Sequence, residues 1–190
     1  MLNIEDSCCF TGHRPDKFDF PFETDCPEYH RFNDRLCTAV ADMIEKGCTK
    51  FYCGMAQGFD ISAGEYIALI KQRNTALKLI GVVPFVGQEK GWSREWQQRY
   101  NALLEKCDEV ITLNDGYVKW AYDQRNRYMV DRCRYVLTYF DGSKGGTGNT
   151  VTYAVKNGRE VLNINTTDPI EELASQIRCT AILLPPEDEN

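Results

Sequence analysis

Apolar positions along the chain fall into short runs, separated by longer stretches in which they recur at three- and four-residue steps. The short runs read as strands buried in a sheet and the periodic stretches as amphipathic helices. This reading places strands at Cys8–Thr11, Lys50–Cys53, Leu77–Pro84, Glu109–Leu113, Tyr135–Phe140 and Glu160–Ile164. From about Glu28 to Lys46, residues Phe32, Leu36, Ala39, Val40 and Met43 form one stripe that can lie on a sheet, and Gly47 ends the helix. Further helices are expected from Gly58 or Phe59 to Arg73, from Ser93 to Lys106, from about Ala121 to Arg132 and from Gly148 to Asn157, the last closed by Gly158. Asp168 and Pro169 read as the cap and first residue of a short helix, Ile170–Arg178. Strand and helix alternate throughout, which is the pattern of βαβ units stacked as a three-layer α/β sandwich with a mainly parallel central sheet. No repeat, linker or composition shift divides the chain, so one domain over 1–180 and an acidic, solvated tail over 181–190 are expected.

Composition narrows the class. The 190 residues are 43% hydrophobic and 26% charged, the usage of a soluble globular domain. Glu5 and Asp6 stand where a secretory signal needs basic residues, and no stretch approaches the roughly 18 apolar residues of a membrane span, so a cytoplasmic protein without a membrane partner is expected. Nine cysteines are scattered through the predicted elements without C-x-x-C spacing, and their odd number favours buried free thiols over a disulfide framework. Cys26 and His30 lack a second ligand pair nearby in sequence, so no metal site is expected. A net charge of −6 disfavours nucleic acid as a partner, because gripping its phosphates needs a dense excess of Lys and Arg. A local basic pocket stays compatible with that total.

Candidate chemistry gathers where strands hand over to helices, the edge at which open parallel sheets bind ligands. Thr11, Gly12, His13 and Arg14 follow the first strand: Gly12 permits a tight turn, and Arg14 offers a planar fork suited to phosphate or carboxylate. His13 is either an acid–base group or a hydrogen-bonding one. Gly54 to Asp60 follow the second strand, with Gly54 and Gly58 leaving backbone amides toward an anion at a helix entry. Asp60 either accepts hydrogen bonds from a ribose or base or stabilises the first helical turn, and Glu65 lies beyond it. Arg125, Asn126 and Arg127 sit in a helix where two arginines two positions apart point in different directions, so at most one reaches a given phosphate. The strongest local signal is Gly142 to Asn149 with Thr150, whose glycines and hydroxyls, Gly145, Gly146, Thr147 and Thr150 among them, can wrap a phosphate. Its spacing is neither a Walker A loop nor G-x-G-x-x-G. Gly87 to Trp92 reads as a lid or as a loop anchored by Trp92, and Trp92, Trp96 and Tyr100 recur at the spacing of a packing stripe.

Taken in order, T-G-H-R, G-M-A-Q-G-F-D, R-N-R and G-G-T-G-x-T-x-x-Y-A resemble the SLOG group of Rossmann-like proteins, which includes the DNA-processing protein DprA and the Lonely-Guy phosphoribohydrolases. VPFVGQEKGW followed by Y-x-x-L-L-x-x-C-D is most similar to the YpsA branch. The resemblance implies a Rossmann-like fold and a nucleotide-derived ligand, such as an ADP-ribose-like molecule, in a cleft formed by these loops. In the phosphoribohydrolases an arginine ahead of the glycine-rich strand and a glutamate just after the glycine loop act on the base–ribose bond. Arg125 or Arg127 matches the arginine; the glutamate has no counterpart, because Asn149, Thr150, Val151, Thr152 and Tyr153 follow the loop.

These features favour a binding or sensing protein for a nucleotide-derived, phosphate-bearing small molecule of the ADP-ribose, NAD or nucleoside monophosphate class. A nucleotide N-glycosidase is the rival, with Asp60, Glu65 and Arg125 as candidate catalytic residues, since oxocarbenium character needs a nearby carboxylate. Single-stranded DNA binding, which the DprA resemblance raises, ranks third because of the acidic charge. No cofactor is called for by any motif. Related folds often pair through helices flanking the cleft, so a homodimer is an expectation that no particular residue establishes.

Overall fold

The computed structural model describes residues 4–23, 25–166 and 170. Among these residues six strands alternate with five α-helices: β1 Ser7–Gly12, α1 Pro27–Glu45, β2 Lys50–Cys53, α2 Phe59–Ile70, β3 Lys78–Val83, α3 Arg94–Leu104, β4 Glu109–Thr112, α4 Ala121–Val130, β5 Tyr135–Tyr139, α5 Gly146–Lys156 and β6 Glu160–Asn163. The strands form one sheet in the order β4-β3-β2-β1-β5-β6, every neighbouring pair parallel. The fold is therefore the expected Rossmann-like α/β sandwich. The expected helix from Ile170, apart from Ile170 itself, and the expected tail lie outside the described residues.

Alternation along the central strands feeds two cores. Cys8 and Phe10 of β1 pack with Phe32, Leu36 and Met43 of α1 and with Phe59 and Ile67 of α2. Cys9, between them in the strand, faces the other way and packs with Met129 and Val130 of α4 and Ala154 of α5. Phe10 lies 5.9 Å from Phe51 and 6.5 Å from Phe59 between ring centroids, in stacked and edge-on contacts that add to the area buried. Chain direction follows from this: β1 to β4 build the sheet outward on one side, then the link through α4 returns to place β5 on the other side of β1.

Boundaries shift where local hydrogen bonding overrides periodicity. α2 stops at Ile70 rather than Arg73, because the amides of Gln72 and Arg73 turn back to the carbonyls of Leu69 and Ile70. α5 begins at Gly146, two residues before the expected Gly148. A 3-10 turn at Pro15–Lys17, which carries no apolar period, follows β1. Gly47 (φ +92°) and Gly158 (φ +67°) leave α1 and α5 in the left-handed region, as expected of helix-ending glycines.

Candidate functional site

The strand order reverses at β1. The loops leaving β1 and β5 consequently diverge to opposite faces of the sheet and open a crevice between their carboxyl ends. A cleft of about 350 Å³ occupies that crevice. Thr11, Gly12, His13 and Arg14 form one wall, and Gly145, Gly146 and Thr147 form the facing one. Asp60, Arg125 and Asn126 close it from α2 and α4. Stretches separated by more than a hundred residues in the chain thus share one hollow.

The glycine-rich wall is the amino end of α5. Gly145, at φ +153°, precedes the first helical residue and no side chain caps the helix, so its first-turn amides and dipole are turned to the cleft. The Thr147 hydroxyl donates to the Gly12 carbonyl at 3.0 Å and locks this wall to the β1 loop. Thr150 lies behind the wall rather than on it: its hydroxyl donates to Gly146 O at 2.8 Å and accepts from Asn126 Nδ2 at 2.7 Å, which orients Asn126.

The floor is a buried ion pair. Arg125 Nη1 stands 3.2 Å from Asp60 Oδ2, and both side chains are only 6% exposed. The same nitrogen donates to the Gly54 carbonyl, while Arg125 Nε is buried without a partner among the described residues. Burial pushes the Asp60 carboxyl up to about 6 against the pull of the Arg125 and Arg14 charges, and burial also lowers Arg125. Desolvation therefore outweighs mutual attraction for both members, an arrangement that stability alone does not favour. Gly54 is required by this pair, since a Cβ there would lie 1.7 Å from Arg125 Nη1. Met55 beside it is buried and left-handed at φ +57°, a conformation disfavoured for its side chain.

Several sequence expectations change in the folded chain. Gly54 and Gly58 pack beneath the cleft instead of lining it; Gly58, at φ +85°, leaves room for the His13 carbonyl, which a Cβ would approach to 2.6 Å. Three amides of that loop are already engaged: Met55 N donates to Cys53 Sγ at 3.4 Å, Phe59 N donates to His13 O at 3.1 Å, and the Ala56 amide serves Asp60. Glu65 does not reach the cleft: Arg99 holds it in a two-point pair at 2.9 and 2.6 Å. Of the two arginines, Arg125 faces the cleft and Arg127 pairs with Asp123 at 2.7 Å on the outer side of α4. Trp92 anchors its loop, with its ring edge-on to Tyr100 at 5.5 Å, and the loop does not border the cleft.

Sequence reasoning missed four contributors. Lys17 comes from the 3-10 turn and Lys144 from the loop after β5, and with Arg14 they line the cleft. None of the three makes an ion pair among the described residues. Tyr122 borders the same space, its ring 5.6 Å from the Arg14 guanidinium carbon. Asp141 stands 2.9 Å from His13 Nε2 in a close but poorly aligned contact. Burial opposes ionisation of Asp141, yet hydrogen bonds from Ser143 and the proximity of His13 bring it down to about 2. Lysines inside a loop follow no periodicity, and Asp141 carries no motif.

The eight described cysteines are free, five of them buried. Among the described residues, no helix is long and apolar enough to cross a membrane.

Fold and cleft together define a Rossmann-like protein with a crevice at its topological switch point lined by basic side chains and the amino end of α5. Residues 8–168 match the profile of YpsA, the YspA SLOG family, and the chain belongs to that family. It is 28% identical over 143 residues to the SPbeta prophage-derived protein YoqJ of Bacillus subtilis (strain 168), covering 68% of this chain and 84% of that protein. It is also 24% identical over 159 residues to a UPF0398 protein of Bacillus thuringiensis (strain Al Hakam), covering 80% and 84%. Among solved structures, DNA processing protein A of Helicobacter pylori, described for its single-stranded DNA binding mode, superposes with a TM-score of 0.58 at 16% identity over 92% of this chain and 74% of that one. DprA of Streptococcus pneumoniae gives 0.54 at 16% identity over 92% of this chain, which spans 56% of that protein. These neighbours overturn the expectation that the acidic total charge disfavours nucleic acid. A protein of this fold is described as binding single-stranded DNA, and net charge averages over a surface on which Arg14, Lys17 and Lys144 are concentrated in one place.

Proposed function

We propose that the cleft binds a nucleotide-derived, phosphate-bearing molecule of the ADP-ribose, NAD or nucleoside monophosphate class. One observation carries the reading: the uncapped amino end of α5 faces the same space as three basic side chains, Arg14, Lys17 and Lys144, that form no close ion pair among the described residues. Helix dipole, first-turn amides and cations all favour an anion there. Asp60 and Asn126, on the opposite side, supply an acceptor and a donor for ribose hydroxyls or a base edge. Calorimetric titration with ADP-ribose, NAD and AMP tests this. Binding is expected for at least one of them and is weakened at least tenfold in Lys144→Ala and Arg14→Ala. Absence of binding across the panel refutes the proposal.

A hydrolytic reading keeps one supporting feature, since Asp60 is a carboxyl near neutrality that lines the cleft. It would require water to add at the ribose C1′ while the base departs with a proton. Chromatography of AMP incubated with the protein decides: free adenine that disappears in Asp60→Asn establishes catalysis, and intact AMP leaves a binding protein.

A further inference from the structure

The carboxyl edge of the sheet does not end at the cleft. It continues past β2 to the loops that follow β3 and β4, and three of the five large apolar side chains exposed among the described residues lie there: Val86 (57% exposed), Tyr117 (66%) and Trp120 (63%). This edge is joined to the cleft by a row of rings. Tyr122, which borders the cleft, lies edge-on to Phe85 at 5.6 Å, and Phe85 lies edge-on to Tyr117 at 5.4 Å. The platform is braced from below, because Val86 N donates to Asn114 O at 3.1 Å while Asn114 Nδ2 donates to Pro84 O at 2.7 Å and to Gln124 Oε1 at 3.0 Å. Arg14, over the Tyr122 ring, stands where the basic cleft and the aromatic row meet.

Neighbouring exposed aromatics on a braced surface offer flat, apolar contact area to a partner. A cationic hollow at one end of such a row fits a polymer that alternates a phosphate with a flat ring. We propose that Tyr122, Tyr117 and Trp120 form a stacking surface for successive bases of a single-stranded nucleic acid that has one phosphate seated in the cleft. Arg14 then lies at the phosphate–base junction, and the exposed rings take bases beyond the first nucleotide. The inference rests on the cleft being a nucleotide phosphate site, and it extends that reading from one nucleotide to a strand.

The test compares 5′-AMP with dA2, dA6 and a six-unit oligomer lacking bases, using wild-type protein, Tyr117→Ala and Trp120→Ala. Both residues are exposed, so the variants keep the fold, which circular dichroism verifies. Stacking on an aromatic ring predicts that dA6 binds more tightly than AMP and that each variant loses at least about fivefold of dA6 affinity while AMP affinity is unchanged. The base-free oligomer gains nothing over AMP. Quenching of Trp120 fluorescence by dA6 gives a second readout, because Trp92 and Trp96 are packed against the core and Trp120 is not. If AMP binds but dA6 binds no better, or if the variants leave dA6 affinity intact, the strand surface is wrong and the nucleotide site survives. If the variants change the sedimentation mass instead of dA6 affinity, the rings belong to an interface between two copies and the inference is overturned. If dA6 does not bind, the strand surface is wrong, and the nucleotide reading is then decided by its own panel of ADP-ribose, NAD and AMP; dA6 binding that the variants weaken, without AMP binding, upholds the strand surface.

Discussion

Replacing Arg125 with methionine tests the buried pair most directly, because it removes the charge while keeping a long side chain in place. At 3.2 Å the attraction to Asp60 amounts to about 5 kcal/mol at an effective dielectric near 20. The loss that unfolding reads is smaller, since Asp60 can take up a proton. Against the unshifted value of 3.8, holding that carboxyl at about 6 already costs the folded wild type about 3 kcal/mol at pH 7. Full protonation of the variant at pH 7 raises the cost to about 4 kcal/mol, an increment of about 1. Leaving the Gly54 carbonyl without its donor adds about 1–3 kcal/mol, so the expected loss at pH 7 is about 2–4 kcal/mol. The pH dependence is diagnostic. A carboxyl whose folded pKa is raised contributes stability at low pH that is lost as pH climbs from about 4 through 6, and at pH 5 wild type and variant both hold the proton. Urea unfolding should therefore show the difference shrinking by about 1 kcal/mol between pH 7 and pH 5. Asp60→Asn combined with Arg125→Met should recover part of the loss, as removing a whole buried pair often does. A difference that is the same at both pH values refutes the reasoning, because it would mean that Asp60 does not take up the proton.

Other expectations follow from single contacts. Gly12→Ala places a Cβ 2.4 Å from Phe59 Cγ, so overpacking should destabilise the protein by about 1–3 kcal/mol in the same unfolding assay. Gly54→Ala displaces the Arg125 guanidinium, and titration with ADP-ribose should show at least tenfold weaker binding than wild type in protein that remains folded by circular dichroism. Glu65→Gln breaks only the pair with Arg99, so it should leave both ligand affinity and any release of base unchanged, which would separate Glu65 from the cleft chemistry. Thr150→Val removes the acceptor that orients Asn126 and the bond to Gly146; affinity should fall several-fold, with a stability loss near 1 kcal/mol.

Much of the architecture was readable before any coordinates. Each strand is legible within about two residues: the central strands β1, β3 and β5, buried on both faces, need near-continuous apolar runs, the partly exposed edge strands β4 and β6 show as short apolar runs between helical stretches, and the stripe of α1 has nowhere to go except a sheet. The parallel arrangement followed from strict alternation of the two element types. The loops after β1 and β5 were also marked in advance by glycines at strand exits. What periodicity cannot encode is the packing of one loop on another. Gly54 and Gly58 read as open to a ligand, yet their missing side chains are spent on Arg125 and on the His13 carbonyl, contacts made across 71 residues of chain in the first case. Glu65 and Arg127 carried suitable charges but were drawn off by Arg99 and Asp123. Lys17, Lys144 and Tyr122 reach the cleft only because the switch at β1 brings three distant segments to one edge. Local pattern sets which elements form and where they end, since those choices depend on neighbours three or four positions away. Which charges meet, and which are left lining the cleft, depends on distances that exist only once the sheet is assembled.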